Sequence, residues 1–389
     1  MIAKRADFLP LAVAMIGDEE KEEVLKCLDS GWVTTGKRAH TFEQRIAEYV
    51  GAKHAVALAS CTHALHLSLA ALGVGPGDEV ITTPFTFAAT ANTVVHTGAR
   101  PVLVDIEEES YTIDPGKIEE KITPKTRAIV PVHYAGHPAR MDEILEIARR
   151  RNLFVIEDAA HALGSSYRGR KIGVLSHATC FSFYPTKNMT TVEGGAVSTD
   201  DADLAGRIRV LSLHGIDKDA WKRYSAEGSW RYDVSAAGFK CNMTDVEASI
   251  GMHQILKLDR FLEIRRTLAL LYDGRFQSLE GVRVPPVSPM VRQTDYARHI
   301  YPLWIDFRKF GIDRSAFIDQ LKEMNIGASV HFIPLHLHSY YQKTFGLRRG
   351  DFPICEKVYD GIVSLPLFPA MTAADANYVA DVALEILKS

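Results

Sequence analysis

A lysine attacks an aldehyde only when its amine has lost its proton, and apolar or aromatic surroundings weaken its hold on that proton. Lys187, closing the run Phe181-Ser-Phe-Tyr-Pro-Thr-Lys187, has such surroundings. Asp158 closes the apolar run Leu153-Phe-Val-Ile-Glu-Asp158, which places it at a strand end, where ligands of open α/β sheets gather. Taken singly, a strand-end aspartate is commonly structural and a loop lysine commonly a solvated charge. As a pair they fit one chemistry. The lysine bonds the aldehyde carbon of pyridoxal 5′-phosphate, and the carboxylate keeps the pyridine nitrogen protonated, so that the ring accepts electrons.

Such a cofactor also needs a phosphate cup and a stacking ring. Ala59-Ser-Cys-Thr-His63 stands between a strand pattern and a helix pattern, where free peptide N–H groups and the helix dipole favour a phosphate. Cys61 and Thr62 are its candidate holders, although Ser-Cys-Thr equally suits a simple helix cap. In Thr83-Pro-Phe-Thr-Phe-Ala-Ala-Thr90, Phe87 offers a ring that could stack on the pyridine or simply join the core. The run His331-Phe-Ile-Pro-Leu-His-Leu-His338 raises a metal site as an alternative. No carboxylate or thiolate spacing accompanies it and Pro334 interrupts a helical face, so no metal is expected.

The elements that must position these groups follow from periodicity. Between residues 52 and 200, short apolar runs alternate with helical patterns, which predicts an α/β domain with a mostly parallel sheet. Strands are expected at Ala55–Ala59, Pro101–Asp105, Ala128–Val132, Leu153–Asp158 and Thr179–Phe183, with a helix over Met141–Arg151. Residues 213–242 show weak periodicity and read as a long loop. A helical pattern from about Thr244 to Leu271 then carries the chain into a second domain. A chain of 389 residues exceeds what one core supports, so a large domain over 1–260 and a smaller one over 261–389 are expected.

Composition narrows the function classes. With 47% hydrophobic and 24% charged residues the chain reads as globular rather than disordered. A net charge of -3 provides no broad attraction for nucleic acid or anionic membrane. No apolar run could span a bilayer, and Met1–Pro10 lacks a secretory pattern. Five scattered cysteines without Cys-x-x-Cys spacing suggest reduced thiols. A cytoplasmic setting is expected.

The ordered series of motifs resembles the DegT-type sugar-nucleotide aminotransferases. The resemblance runs from Ser30-Gly-Trp-Val-Thr-Thr-Gly36 through Glu157-Asp-Ala-Ala-His161 and the Lys187 motif to Val363-Ser-Leu-Pro-Leu-Phe-Pro369. It implies the aspartate aminotransferase fold (fold type I), with a small C-terminal α+β domain, and pyridoxal phosphate as cofactor. Lys187 would bond the cofactor, Asp158 would face the ring nitrogen, Phe87 would stack on the ring, and Cys61, Thr62 and Ser182 would hold the phosphate. His161 would lie beside the ring, with a packed histidine as the alternative reading. Gly238-Phe-Lys-Cys-Asn-Met-Thr244 matches a segment that reaches into a neighbouring subunit's site, so the resemblance implies a homodimer, with Lys240 or Asn242 on the neighbour's phosphate. Thr34, Thr35, His331 and His336 would border the substrate, with a plain turn as the alternative reading of Thr34 and Thr35. The partners implied are glutamate as amino donor and a nucleotide-linked keto sugar; the segment around His331 is similar to members acting at C4 of UDP-linked sugars. Relatives with histidine in place of the lysine dehydrate keto sugars instead, and a regulatory cofactor-binding protein is the third class considered.

Overall fold

The computed structural model describes residues 2–216, 231–288, 291–292 and 295–388. Its strands are β1 (His54–Leu58), β2 (Glu79–Thr82), β3 (Arg100–Leu103), β4 (Thr126–Ile129), β5 (Phe154–Asp158), a small hairpin of β6 (Ser166–Tyr167) and β7 (Arg170–Lys171), β8 (Ala178–Ser182) and β9 (Gly195–Thr199). Seven of these form one sheet in the order β1-β9-β8-β5-β4-β2-β3. From β3 to β8 all neighbours are parallel, and β9 runs antiparallel between β8 and β1. This is the α/β architecture expected from the alternating patterns.

Both faces of the sheet are covered, which is why its strands read as continuous apolar runs rather than alternating ones. Successive residues point to opposite faces. Ile81, Ile129 and Val155 pack into one core, while Val80, Ala128 and Ile156 pack into the other. The chain enters through α1 (Asp18–Asp29) and α2 (Lys37–Val50); α3 (Cys61–Ala71) follows β1, α4 (Ala88–His96) follows β2, α5 (Met141–Arg151) precedes β5, and α6 (Ala202–Ser212) follows β9. The expected helix over Met141–Arg151 is α5. In α2, Ala39, Phe42, Ile46 and Val50 recur at helical spacing and are buried. Phe42 meets Phe183 edge to face at 5.3 Å, so α2 supports the end of β8 just before Lys187.

The long helix α7 (Asp245–Phe276) begins at a capping box between Thr244 and Glu247. Its first half, through Leu262, belongs to the core of the large sheet, and from Leu268 onward it belongs to a second core. That second core packs on a three-stranded sheet of β10 (Val282–Arg283), β11 (Tyr301–Ile305) and β12 (Ile362–Leu365). Around it stand α8 (Arg314–Glu323), α9 (Ser339–Phe345), α10 (Pro353–Gly361) and α11 (Ala373–Lys388). The expected boundary at 260 therefore falls inside an uninterrupted helix. Leu9 also packs into the second core and pairs with Ile326, so the N-terminal arm joins the C-terminal unit. Of the loop read over 213–242, residues 217–230 lie outside the described residues. Its two described ends meet through bridges Leu213–Lys240 and Ile216–Val234.

Candidate active site

Three parallel strands end at one edge of the sheet, and each delivers a group to the same cavity of about 490 Å³. Past β1 comes the start of α3 with Ser60, Cys61 and Thr62; at the end of β5 stands Asp158; at the end of β8 stands Ser182, with Lys187 past it. Phe87 and Thr86, between β2 and α4, and His161, His299 and His331 join the polar and aromatic wall. The structure thus brings together Lys187, Asp158, Cys61, Thr62, Phe87, His161, Ser182 and His331 from the residues singled out in sequence.

Asp158 is held rigidly. Its peptide N–H donates to Pro131 O at 2.9 Å and its carbonyl accepts from His133 N at 3.0 Å. Its carboxylate accepts from Thr90 Oγ1 at 2.7 Å and from Ala160 N at 3.2 Å. Thr86 Oγ1 lies 2.7 Å from Thr90 Oγ1 and extends the chain. Burial raises the Asp158 pKa, while Thr90, Ala160 and the Lys187 charge oppose the rise. Such a carboxylate is stabilised by a cationic donor arriving in the cavity.

Lys187 lines the cavity, and burial lowers its pKa to about 8 against weaker opposing effects of Cys61 and Asp158. The three histidines add no competing charge. Burial holds His161 and His299 well below their ordinary range and brings His331 to about 4. Ala135 N donates to His161 Nδ1 at 3.2 Å, which leaves the proton of this neutral ring on Nε2. A depressed lysine has a kinetic signature. The rate at which cofactor-free protein bonds pyridoxal phosphate should rise with pH and level off above about pH 9, since an amine with a pKa near 8 is then mostly unprotonated. Stopped-flow absorbance reads this profile, and a rate still climbing steeply above about pH 10 would mean an ordinary lysine.

The residues present fit pyridoxal phosphate. The first N–H groups of α3, at Cys61 and Thr62, have no acceptor within the helix, and Ser60 caps its His63 N–H instead. Gly195 allows this turn to sit against β9, because a Cβ there would lie 2.4 Å from Cys61 N. Phe87 is 62% exposed although it lines the cavity, an apolar face free to meet a flat ring.

Five other candidates lie outside the lining. His336 is fully buried, with Nε2 2.9 Å from Glu356 Oε1 and its ring against Phe352, which corrects its expected place beside the substrate: it is a packed histidine here. His331 turns instead to Ser364 Oγ at 2.9 Å, and His338 to Ile333 O at 3.2 Å. Among the described residues no group of three or more His, Cys, Asp or Glu could hold a metal ion. Thr35 Oγ1 donates to Met243 O and accepts from Asn242 Nδ2, both at 2.5 Å, and Thr34 O accepts from Asp245 N at 3.3 Å. Lys240 is exposed and donates to Asn242 Oδ1. Thr34, Thr35, Lys240 and Asn242 therefore form one assembly, and none of them is in the lining of their own chain's cavity. Sequence reasoning missed Thr86, Thr90 and His299. The spacing of Thr86 and Thr90, four apart across the start of a helix, was the available signal for the first two.

The profile of the DegT/DnrJ/EryC1/StrS aminotransferase family matches residues 14–383. The chain belongs to this family. Spore coat polysaccharide biosynthesis protein SpsC of Bacillus subtilis is 50% identical over 389 residues, covering 100% of this chain and 99% of SpsC. Spr1654 of Streptococcus pneumoniae, assigned as a sugar aminotransferase and solved in its PMP form, superposes with a TM-score of 0.90 at 30% identity, covering 98% of this chain and 99% of its own. DesI, solved in the presence of its TDP-sugar product, superposes at 0.87 with 30% identity, covering 99% of this chain and 94% of its own. The aspartate aminotransferase-like fold and the pyridoxal phosphate cofactor of this DegT-family aminotransferase are thereby established. Among its described residues no helix is long and apolar enough to cross a membrane.

Proposed function

We propose that this aminotransferase moves an amino group from glutamate to the C4 keto carbon of a UDP-linked sugar. The observation that carries the reading is the meeting of Lys187 and Asp158 in the lining of one cavity, in a family that includes an enzyme with a TDP-sugar product. Bound pyridoxal phosphate supplies an aldehyde that receives the amino group and a cationic ring that accommodates an electron pair.

The chain's own residues do the rest. Cys61 and Thr62, through the start of α3, and Ser182 would hold the phosphate; Phe87 would cover one ring face, with His161 beside it. Asp158 would keep the ring nitrogen protonated. Lys187 Nζ, once released, is the base: it takes the proton from Cα of the amino donor in one half-reaction and delivers a proton to the sugar carbon in the other. Neutral His161, His299 and His331 let that amine take up a proton without like charges being forced together. The assembly of Lys240 and Asn242 would complete the phosphate site of a second copy in a homodimer, and Thr34, Thr35 and His331 would border the sugar.

An amino-transfer screen tests the reading. Nucleotide-linked 3-keto and 4-keto sugars are offered with glutamate and followed by mass. Replacement of the keto oxygen by an amino group on a UDP-linked 4-keto sugar is the expected result, and reaction confined to 3-keto sugars or to another nucleotide would overturn the assigned position or carrier.

A further inference from the structure

Arg265 lies on α7 between Leu262, which packs in the first core, and Leu268, which packs in the second. It is 1% exposed, and among the described residues no carboxylate pairs with it. Its partners are three peptide carbonyls. Nη1 donates to His299 O at 3.0 Å and to Leu367 O at 2.6 Å, and Nη2 donates to Lys187 O at 3.4 Å. Lys187, His299 and Leu367 all line the active-site cavity. Two of these carbonyls belong to segments flanking β11 and β12, and the third to the loop past β8. One buried side chain thus ties the lysine loop of the large sheet to the small sheet.

We propose that Arg265 is a positioning residue for transamination, fixing the Lys187 peptide against the His299 and Leu367 segments from behind the cavity. The Lys187 N–H already donates to Tyr184 O at 2.9 Å, so both peptide groups around its Cα are anchored and the side chain swings from a fixed root. Taking a guanidinium out of water without a carboxylate is costly, and apolar residues could have joined the cores here at no such cost. What they could not do is donate to three carbonyls from one point, which the planar fork of arginine does. Displacing a reacting group by an ångström can slow chemistry about 10²-fold.

The test uses the full chain with Arg265→Met, Arg265→Gln or Arg265→Lys, stripped of cofactor and mixed with pyridoxal phosphate. Amine and aldehyde condense with loss of water, and borohydride reduces the C=N bond, so the mass gained at Lys187 against time gives a bonding rate. No sugar or donor is required, which separates this result from that of the substrate screen. Folded Met and Gln variants are expected to bond at roughly a tenth of the wild-type rate or slower. The Lys variant, which keeps a charged donor, is expected to recover part of the loss. A purely structural role would lower the urea midpoint and leave the bonding rate of folded molecules unchanged. A Met or Gln variant that folds and bonds at the wild-type rate overturns the proposal, and so does failure of all three to fold.

Discussion

Lys187→Met is expected to lower amino transfer on the order of 10⁴-fold and to leave no cofactor covalently attached after borohydride reduction. Two functions are lost together. The amine is the group that bonds the aldehyde, and it is the base that moves the proton in each half-reaction. No other lysine lines the cavity among the described residues, so nothing nearby can take its place. The methionine side chain is close in length and suits the apolar wall, and Lys187 is anchored through its peptide groups rather than its amine. The variant should therefore fold and still bind the cofactor noncovalently through the start of α3. Mass spectrometry of the reduced protein checks the bond, and steady-state transfer checks the rate. Retained covalent cofactor with unchanged turnover would remove Lys187 from its role and leave the pocket without a base.

The pairing of Lys187 with Asp158 was legible because each ends a run whose pattern states where it stands: an apolar strand, then a polar group at its carboxyl end. A parallel sheet covered on both faces makes such runs plain. Less legible are β2 and β9. Four residues of β2 end in threonine, and β9 is Gly-Ala-Val-Ser-Thr, so neither has the apolar density of Leu153–Asp158. The domain division was blurred for another reason. A helix can serve two cores without any change in its local pattern, as α7 does, and an arm such as Leu9 can return to a core formed more than 250 residues later. His336 and His331 show the limit for single residues. They share a motif and a residue type, yet one meets Glu356 in the protein interior and the other meets the cavity. Such choices arise from tertiary packing, which spacing alone does not encode. Arg265 is the same case: its partners are carbonyls of three distant segments, and main-chain partners leave no mark in the sequence.

Asp158→Asn should cost about 10² to 10³ in turnover, the range seen when one preorganised electrostatic partner is lost, while covalent attachment at Lys187 persists. The local network can accept the amide. Ala160 N–H can only donate, so the amide oxygen must face it; the amide nitrogen then faces Thr90, whose hydroxyl reverses to accept and turns its proton to Thr86 Oγ1. Shape and backbone bonds to Pro131 and His133 are unchanged. What disappears is the negative charge, and with it the reason for the ring nitrogen to keep its proton as charge develops. Burial by itself disfavours that charge, so the carboxylate's value lies in what it does when a cation stands before it. Equal urea midpoints for the cofactor-free proteins, together with the fall in turnover, would isolate this effect. An Asn variant at wild-type turnover would show that the ring works without a carboxylate partner, and the case for Asp158 as more than a strand end would be gone.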